Sequence, residues 1–148
     1  MASIRQVYEN VSKVNFATTI TDTIVQEKNE FLEQQREQLM DGLDSEGNKI
    51  SPSYASDSYA VLKNKMNPFA GLGNPDLYKT GSWQEGLQLN ILSKKQYEFK
   101  STDSKDSKLN AKYKKAKGLN SESIGEVVNK RGFRKALITN YGKATKLL

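Results

Sequence analysis

Asp44, Glu46 and Asn48 stand at alternate positions in Gly-Leu-Asp-Ser-Glu-Gly-Asn-Lys, residues 42–49, a run of side-chain oxygens that invites a calcium ion. An EF-hand loop counted from Asp44 needs glycine at its sixth position and a bidentate glutamate at its twelfth. The chain has Lys49 and Ala55 there. The stretch reads instead as a tight turn, since Asp, Ser, Gly and Asn bond their own backbone or tolerate left-handed conformations. Asp76 and Glu85, on either side of Trp83, are the closest approach to the carboxylate pair of a glycoside hydrolase, but nothing in their spacing sets a separation. Glu30, Glu33 and Glu37 share a helix face with basic neighbours and read as solvated surface. With no histidine and no cysteine, the chain has no Ser-His triad, imidazole or thiolate zinc site, cysteine nucleophile or disulfide. Gly71-Leu72-Gly73 lacks the third glycine and the Lys-Ser/Thr of phosphate loops. No catalytic residue, cofactor or metal is expected.

The elements that position these groups come from patterning. At 148 residues the chain has the length of one domain, 1–148. Hydrophobic residues make up 36% and charged residues 27%, with a mean hydropathy of -0.72. That is polar for a compact monomer and suggests surface completed by partners. Residues 1–93 hold 8 Lys+Arg against 12 Asp+Glu, a net of −4; residues 94–148 hold 15 against 5, a net of +10. Such a chain attracts copies head to tail or turns its rear toward a polyanion; a merely solubilising lysine surface is the plainer reading. No apolar leader or membrane span is visible, which points to a cytosol-like compartment and no membrane partner.

Ile4, Val7, Val11 and Val14 recur at helical spacing. The β-branched run Thr18 to Thr23 weakens that helix, and Thr21 or Asp22 is the expected cap of a second one ending at Gly42. Residues 1–43 thus read as a helical strut, broken or kinked near residue 20. Residues 44–83 read as turn and docking segment, with a short helix over about 54–66 and a proline-glycine loop after it. Residues 84–100 alternate as a hairpin (Leu87, Leu89, Ile91, then Tyr97, Phe99), linked by 93–96. Residues 101–123 read as a polar, mobile insertion with a small helical island, and 124–148 as a C-terminal helical segment. The expected class is α+β: a long or broken N-terminal helix packed on a small, mostly antiparallel sheet, with C-terminal helices.

Two basic clusters interleave with aromatics: Lys112, Lys114, Lys115 and Lys117 around Tyr113, and Lys130, Arg131, Arg134 and Lys135 around Phe133. Such clusters hold phosphates and stack bases. No helix-turn-helix, finger or RNP spacing accompanies them, so non-specific DNA contact is the form expected.

Across residues 38–87 a helix ending in Gln-Leu leads into Gly-Leu-Asp-Ser-Glu-Gly-Asn-Lys-Ile. Pro-Ser-Tyr, Tyr-Ala-x-x-Lys, Asn-Pro-Asp-Leu-Tyr-Lys-Thr-Gly-Ser-Trp and Gly-Leu follow in order. This order resembles that of small virion proteins of tailed bacteriophages, the neck or tail-completion proteins joining the DNA-filled head to the tail. The resemblance covers about a third of the chain and omits 94–148. It implies a structural subunit of the head–tail connector, with no enzymatic activity, forming a homo-oligomeric ring around the DNA channel. The implied partners are other virion proteins (portal, adaptor or tail), and the implied location is the virion, assembled in the host cytoplasm. Tyr54, Tyr59, Phe69, Tyr78 and Trp83 are then the expected subunit-interface anchors, because aromatics bury large areas at low entropy cost. Filling a monomer's core is the other use for them. The alternative function is a basic nucleic-acid-binding accessory protein.

Overall fold

The computed structural model describes residues 3–93 and 96–146 and has an α+β architecture. Helices α1 (Ile4–Lys13), α2 (Phe16–Gln26) and α3 (Lys28–Met40) open the chain. Then come α4 (Asp57–Met66), a 3-10 turn at Pro68–Ala70, and the single-turn α5 (Ser82–Glu85). Strands β1 (Leu87–Ser93) and β2 (Gln96–Ser101) are followed by α6 (Asp106–Lys112), α7 (Ser121–Lys130) and α8 (Phe133–Ala144). Among the described residues no helix is long and apolar enough to cross a membrane.

The strut breaks elsewhere than expected. Thr21 and Asp22 lie inside α2, whereas Val14 is extended and Asn15 caps α2 by accepting from Thr18 N at 3.2 Å. The threonine run is helical all the same, and within it Thr19 and Thr23 turn their hydroxyls onto carbonyls four residues back, Thr23 Oγ1 donating to Thr19 O at 2.7 Å. A second interruption falls at Glu27, where the backbone departs from helical angles for one residue. A single such residue bends the axis without reversing it. The α2–α3 pair therefore extends on the order of 35 Å.

The strands pair antiparallel, with Leu87 opposite Ser101, Leu89 opposite Phe99 and Ile91 opposite Tyr97. Lys94 and Lys95, within the expected link, lie outside the described residues. Leu87 joins Leu32, Leu39, Ile50, Trp83, Tyr113 and Ala116 in one core cluster, and Ile24, Val127 and Phe133 form a second. Residues 101–123 differ from the polar insertion read from the sequence, since Tyr113 and Ala116 sit in the first core. The following backbone is gripped by α3: Gln35 Oε1 accepts from Gly118 N at 2.6 Å, and Gln38 Oε1 from Asn120 N at 2.9 Å. Gln38 Nε2 donates to Gly118 O at 2.8 Å and Asp44 O at 3.1 Å.

The C-terminal helices fold back on the strut. Phe31 and Phe133 meet edge to face with ring centroids 5.4 Å apart, and Phe16 meets Tyr141 at 5.5 Å. Asn140 Nδ2 donates to Thr23 Oγ1 at 2.9 Å.

At the far end of α3 the chain turns at Gly42, whose φ of +70 is left-handed. A β-carbon there would lie 3.0 Å from Ala70 O. Gly42→Ala adds that crowding to a left-handed penalty of about 1–2 kcal/mol. The variant should therefore unfold at lower denaturant concentration by at least that energy, with an unchanged m-value.

Candidate functional site

Beyond α3, three segments meet on one carboxylate. Asp76 is 1% exposed. Its Oδ1 accepts from Tyr78 N at 2.9 Å and pairs with Lys63 Nζ at 2.9 Å; its Oδ2 accepts from Asn67 Nδ2 at 3.0 Å. Its carbonyl accepts from Gln84 Nε2 at 2.8 Å. Lys63 Nζ also donates to Tyr78 O, and Asn67 Nδ2 donates to Met40 O at 2.7 Å. The end of α3, α4, the loop and α5 are thus tied together through groups that water does not reach. Asp76 is committed to these bonds, while Glu85 is exposed on α5, so the two acids considered for hydrolysis have different environments. Among the described residues no group of three or more Asp, Glu, His or Cys is placed to hold a metal ion. In the turn that invited calcium, Asp44 Oδ1 is taken by the N–H groups of Glu46 and Asn48, both at 2.9 Å.

This hub presents an aromatic cleft. Leu77 is held at φ +54, left-handed for a branched side chain, and Tyr78 follows it outward. Tyr54 and Tyr59 meet edge to face at 5.0 Å, and with Tyr78, Gly81 and Lys105 they line a cleft of about 180 Å³. That is below the range of about 300–1,000 Å³ typical for small-molecule sites and suits one inserted side chain. Tyr78 closes over Gly81, where a β-carbon would lie 2.9 Å from the phenol oxygen. A larger cleft of about 530 Å³ is mostly apolar, lined by Ile24, Phe31, Leu89 and Phe99, with Glu98, Asn110, Lys114 and Lys117 also on its wall.

Of the expected interface anchors, Phe69 is exposed at 77%, and Tyr54, Tyr59 and Tyr78 are partly so. Trp83 is a correction. It is 4% exposed, donates from Nε1 to Asp106 Oδ1 at 3.0 Å, and belongs to the monomer's core.

The basic residues divide similarly. Lys117 is paired with buried Asp106 at 3.4 Å, and Lys130 with Glu126 at 2.7 Å. Arg131 reaches Glu37 at 2.6 Å and Glu30 and Glu33 at 3.4 Å, and its Nε donates to Gln34 Oε1 at 2.9 Å. The hydrogen bond to Glu37 holds the Arg131 guanidinium above its ordinary range. Lys117 and Arg131 are therefore corrected from DNA-facing residues to intramolecular partners, whereas Lys130 stays exposed in its pair on the surface of α7. The acidic face of α3, expected in solvent, is where Arg131 docks. Lys112, Lys114, Lys115, Arg134 and Lys135 stay exposed. Tyr113 and Phe133, the aromatics expected to stack bases, are 7% and 8% exposed and face inward.

Two exposed apolar surfaces were not foreseen as such. In α1 no residue is buried: its end is closed by a Ser3–Gln6 capping box, and Ile4 and Tyr8 are 91% and 72% exposed. Beyond the other end of the strut, Val61, Leu62, Met66, Phe69 and Leu72 are exposed together around α4 and the 3-10 turn. Compared with known proteins, the chain matches no family model, no curated protein and no solved structure.

The Asp76 hub makes two predictions. Removing one member of a buried pair costs about 3–5 kcal/mol, because the other charge is stranded. Asp76→Ala and Lys63→Met should each lose stability of that order in denaturant titrations. The double variant should lose clearly less than the two losses added together. Burial, and next the charge of Asp76, push the Tyr54 phenol well above its ordinary value. The unfolded phenol releases its proton near pH 10 while the folded one keeps it, so stability falls as pH rises above about 10. Tyr54→Phe should make the unfolding midpoint less sensitive to pH between about 9 and 11.

Proposed function

We propose that this chain is a structural subunit of a tailed-phage head–tail connector, one that joins copies of itself into a ring around the DNA channel. The phage assignment rests on the motif order of residues 38–87. What supports assembly is α1: an amphipathic helix, capped at its start, whose apolar face of Ile4, Val7 and Val11, continued by Val14 at its C-cap, has no buried member. An isolated helix of 10 residues is marginal in water, so α1 gains by being covered.

A second copy is the occupant that the surface favours. The α4 patch of Val61, Leu62, Met66, Phe69 and Leu72 offers a second apolar area, and it lies at the opposite end of the α2–α3 strut from α1. When one copy's α1 covers the next copy's patch, unlike surfaces meet. Contacts of that kind close into rings when the rotation permits. Tyr54, Tyr59 and Tyr78, beside the patch-bearing helix, complete the docking face, with Trp83 behind them as core.

Light scattering and negative-stain images test the assembly, alone and with a portal-like ring. Assemblies of several copies are expected at micromolar concentrations. Ile4→Asp with Val11→Asp should shift them to monomer while leaving the unfolding midpoint of the body nearly unchanged, since α1 contributes no buried residue. A wild-type chain that stays monomeric in both mixtures overturns the reading.

A further inference from the structure

We infer that the lysine row Lys105, Lys108 and Lys112, continued by Lys114 and Lys115, is a binding site for the phosphate backbone of double-stranded DNA, read without regard to sequence. Lys108 and Lys112 belong to α6, and Lys105 is its N-cap. Their spacing of three and then four residues puts them along one edge of the helix. All five side chains are exposed. Past the helix end, Lys112, Lys114 and Lys115 line one cleft of about 340 Å³ facing the turn of residues 50–52.

Charge pairing narrows the candidates. Lys117 and Arg131 are consumed by carboxylates of their own chain, and Lys130 pairs with Glu126 on the surface of its own helix. Within the row, among the described residues, only Lys115 forms an ion pair, with Glu46 at 3.0 Å. Both partners are more than half exposed, so the pair is weak and exchangeable. The opposing charges are few. Asp103 lies beside Lys105, whose own N–H keeps it ionised, and Asp44 lines the cleft with one oxygen already bonded to two backbone N–H groups. Lys112 is exposed and rests its ammonium 5.3 Å from the ring centre of Tyr113, a contact that carries no opposing charge.

The partner follows from what the row lacks. Single strands are held by bases stacked on aromatic faces, and the nearby Tyr113 is only 7% exposed, with its ring in the core. The row presents no arginine fork for a base edge. Point charges without stacking groups suit a regular phosphate line, and the duplex offers the denser one, a charge per 1.7 Å or so of axis. The site does not depend on assembly, because α6 packs on the core through Leu109 and Tyr113 and α1 takes no part in it.

The test is fluorescence anisotropy of a short random-sequence duplex against salt, on the full chain. Three lysines on phosphates contribute about 2.7 to the log–log salt slope. Lys108→Gln/Lys112→Gln/Lys114→Gln should lower the slope by about that amount. Raising salt from about 50 to 200 mM should then cost the variant some 40-fold less affinity than the wild type. Arginine at the same three positions should restore the slope, and Arg134→Gln/Lys135→Gln should leave it nearly unchanged. Ile4→Asp/Val11→Asp, used as a monomer, should bind with the same per-chain slope, which separates this site from the assembly reading. An unchanged slope in the lysine variant overturns the proposal. So does a loss as large in the α8 variant, tighter binding of the single strand, or equal binding of a polyglutamate of matched charge.

Discussion

A carboxylate sealed from water must be answered in full, and Asp76 is answered by three different segments. Lys63 arrives from α4, Asn67 from the loop after it and the Tyr78 N–H from the chain just beyond, while Gln84 holds the Asp76 carbonyl. None of these can withdraw without leaving a charge or a donor stranded in a low-dielectric interior. The geometry of residues 57–84 is therefore set by charge satisfaction more than by apolar packing. That suits a segment whose outer surface is itself apolar. Val61, Leu62, Met66 and Phe69 can stay exposed because the helix that carries them is anchored from its other side through Lys63.

The same logic runs along α3, where Gln34, Gln35 and Gln38 are all buried. Gln35 and Gln38 act as a rail for the backbone of residues 117–120, and through Gln38 the turn at Asp44 is joined to it. Among the described residues, buried polar side chains outnumber buried apolar ones. A core of this kind gains little from area alone and depends on its donors being matched; among the described residues Gln35 Nε2 is the buried side-chain donor left without a partner, and the other matches favour one arrangement over near alternatives. This explains how so hydrophilic a chain orders α6 and the residues that follow it.

The α+β class, the helical strut, the hairpin and the C-terminal helices were legible because each carries a period: three and four in the helices, two in Leu87, Leu89 and Ile91. What escaped has a common cause. Glutamines on a helix read as solvent-facing, since nothing local distinguishes a buried amide from a wet one; the partners of Gln35 and Gln38 are some 80 positions away. The break expected near residue 20 falls instead before α2, where Asn15 supplies the cap. Arg131 looked free because pairing with carboxylates about a hundred positions away leaves no trace in spacing, whereas the Glu126–Lys130 pair is an i, i+4 spacing the sequence does show. Trp83 was open to both readings as core or interface, and its indole N–H settles inward on Asp106. Lys105 and Lys108 could have been found: steps of three and then four lead from Lys105 through Lys108 to Lys112 once residues 106–112 are taken as helix.

Those pairings change what can be said of assembly. The front of the chain is acidic and its rear basic, which by itself favours head-to-tail attraction between copies. Arg131 spends part of that attraction inside one molecule by covering Glu30, Glu33 and Glu37, and Lys115 spends more on Glu46. In the proposed assembly, the force left for joining copies would then be mostly apolar, between α1 at one end of the strut and the α4 patch at the other. Apolar contacts are little screened by salt, whereas phosphate contacts weaken steeply with it. An end-to-end joint leaves the flanks of the strut open, and α6 lies on one of them, packed through Leu109 on the core that α3 shares. The proposed self-association and polyanion binding would thus occupy different surfaces and differ in their response to ionic strength, so neither would need to be weakened for the other to work.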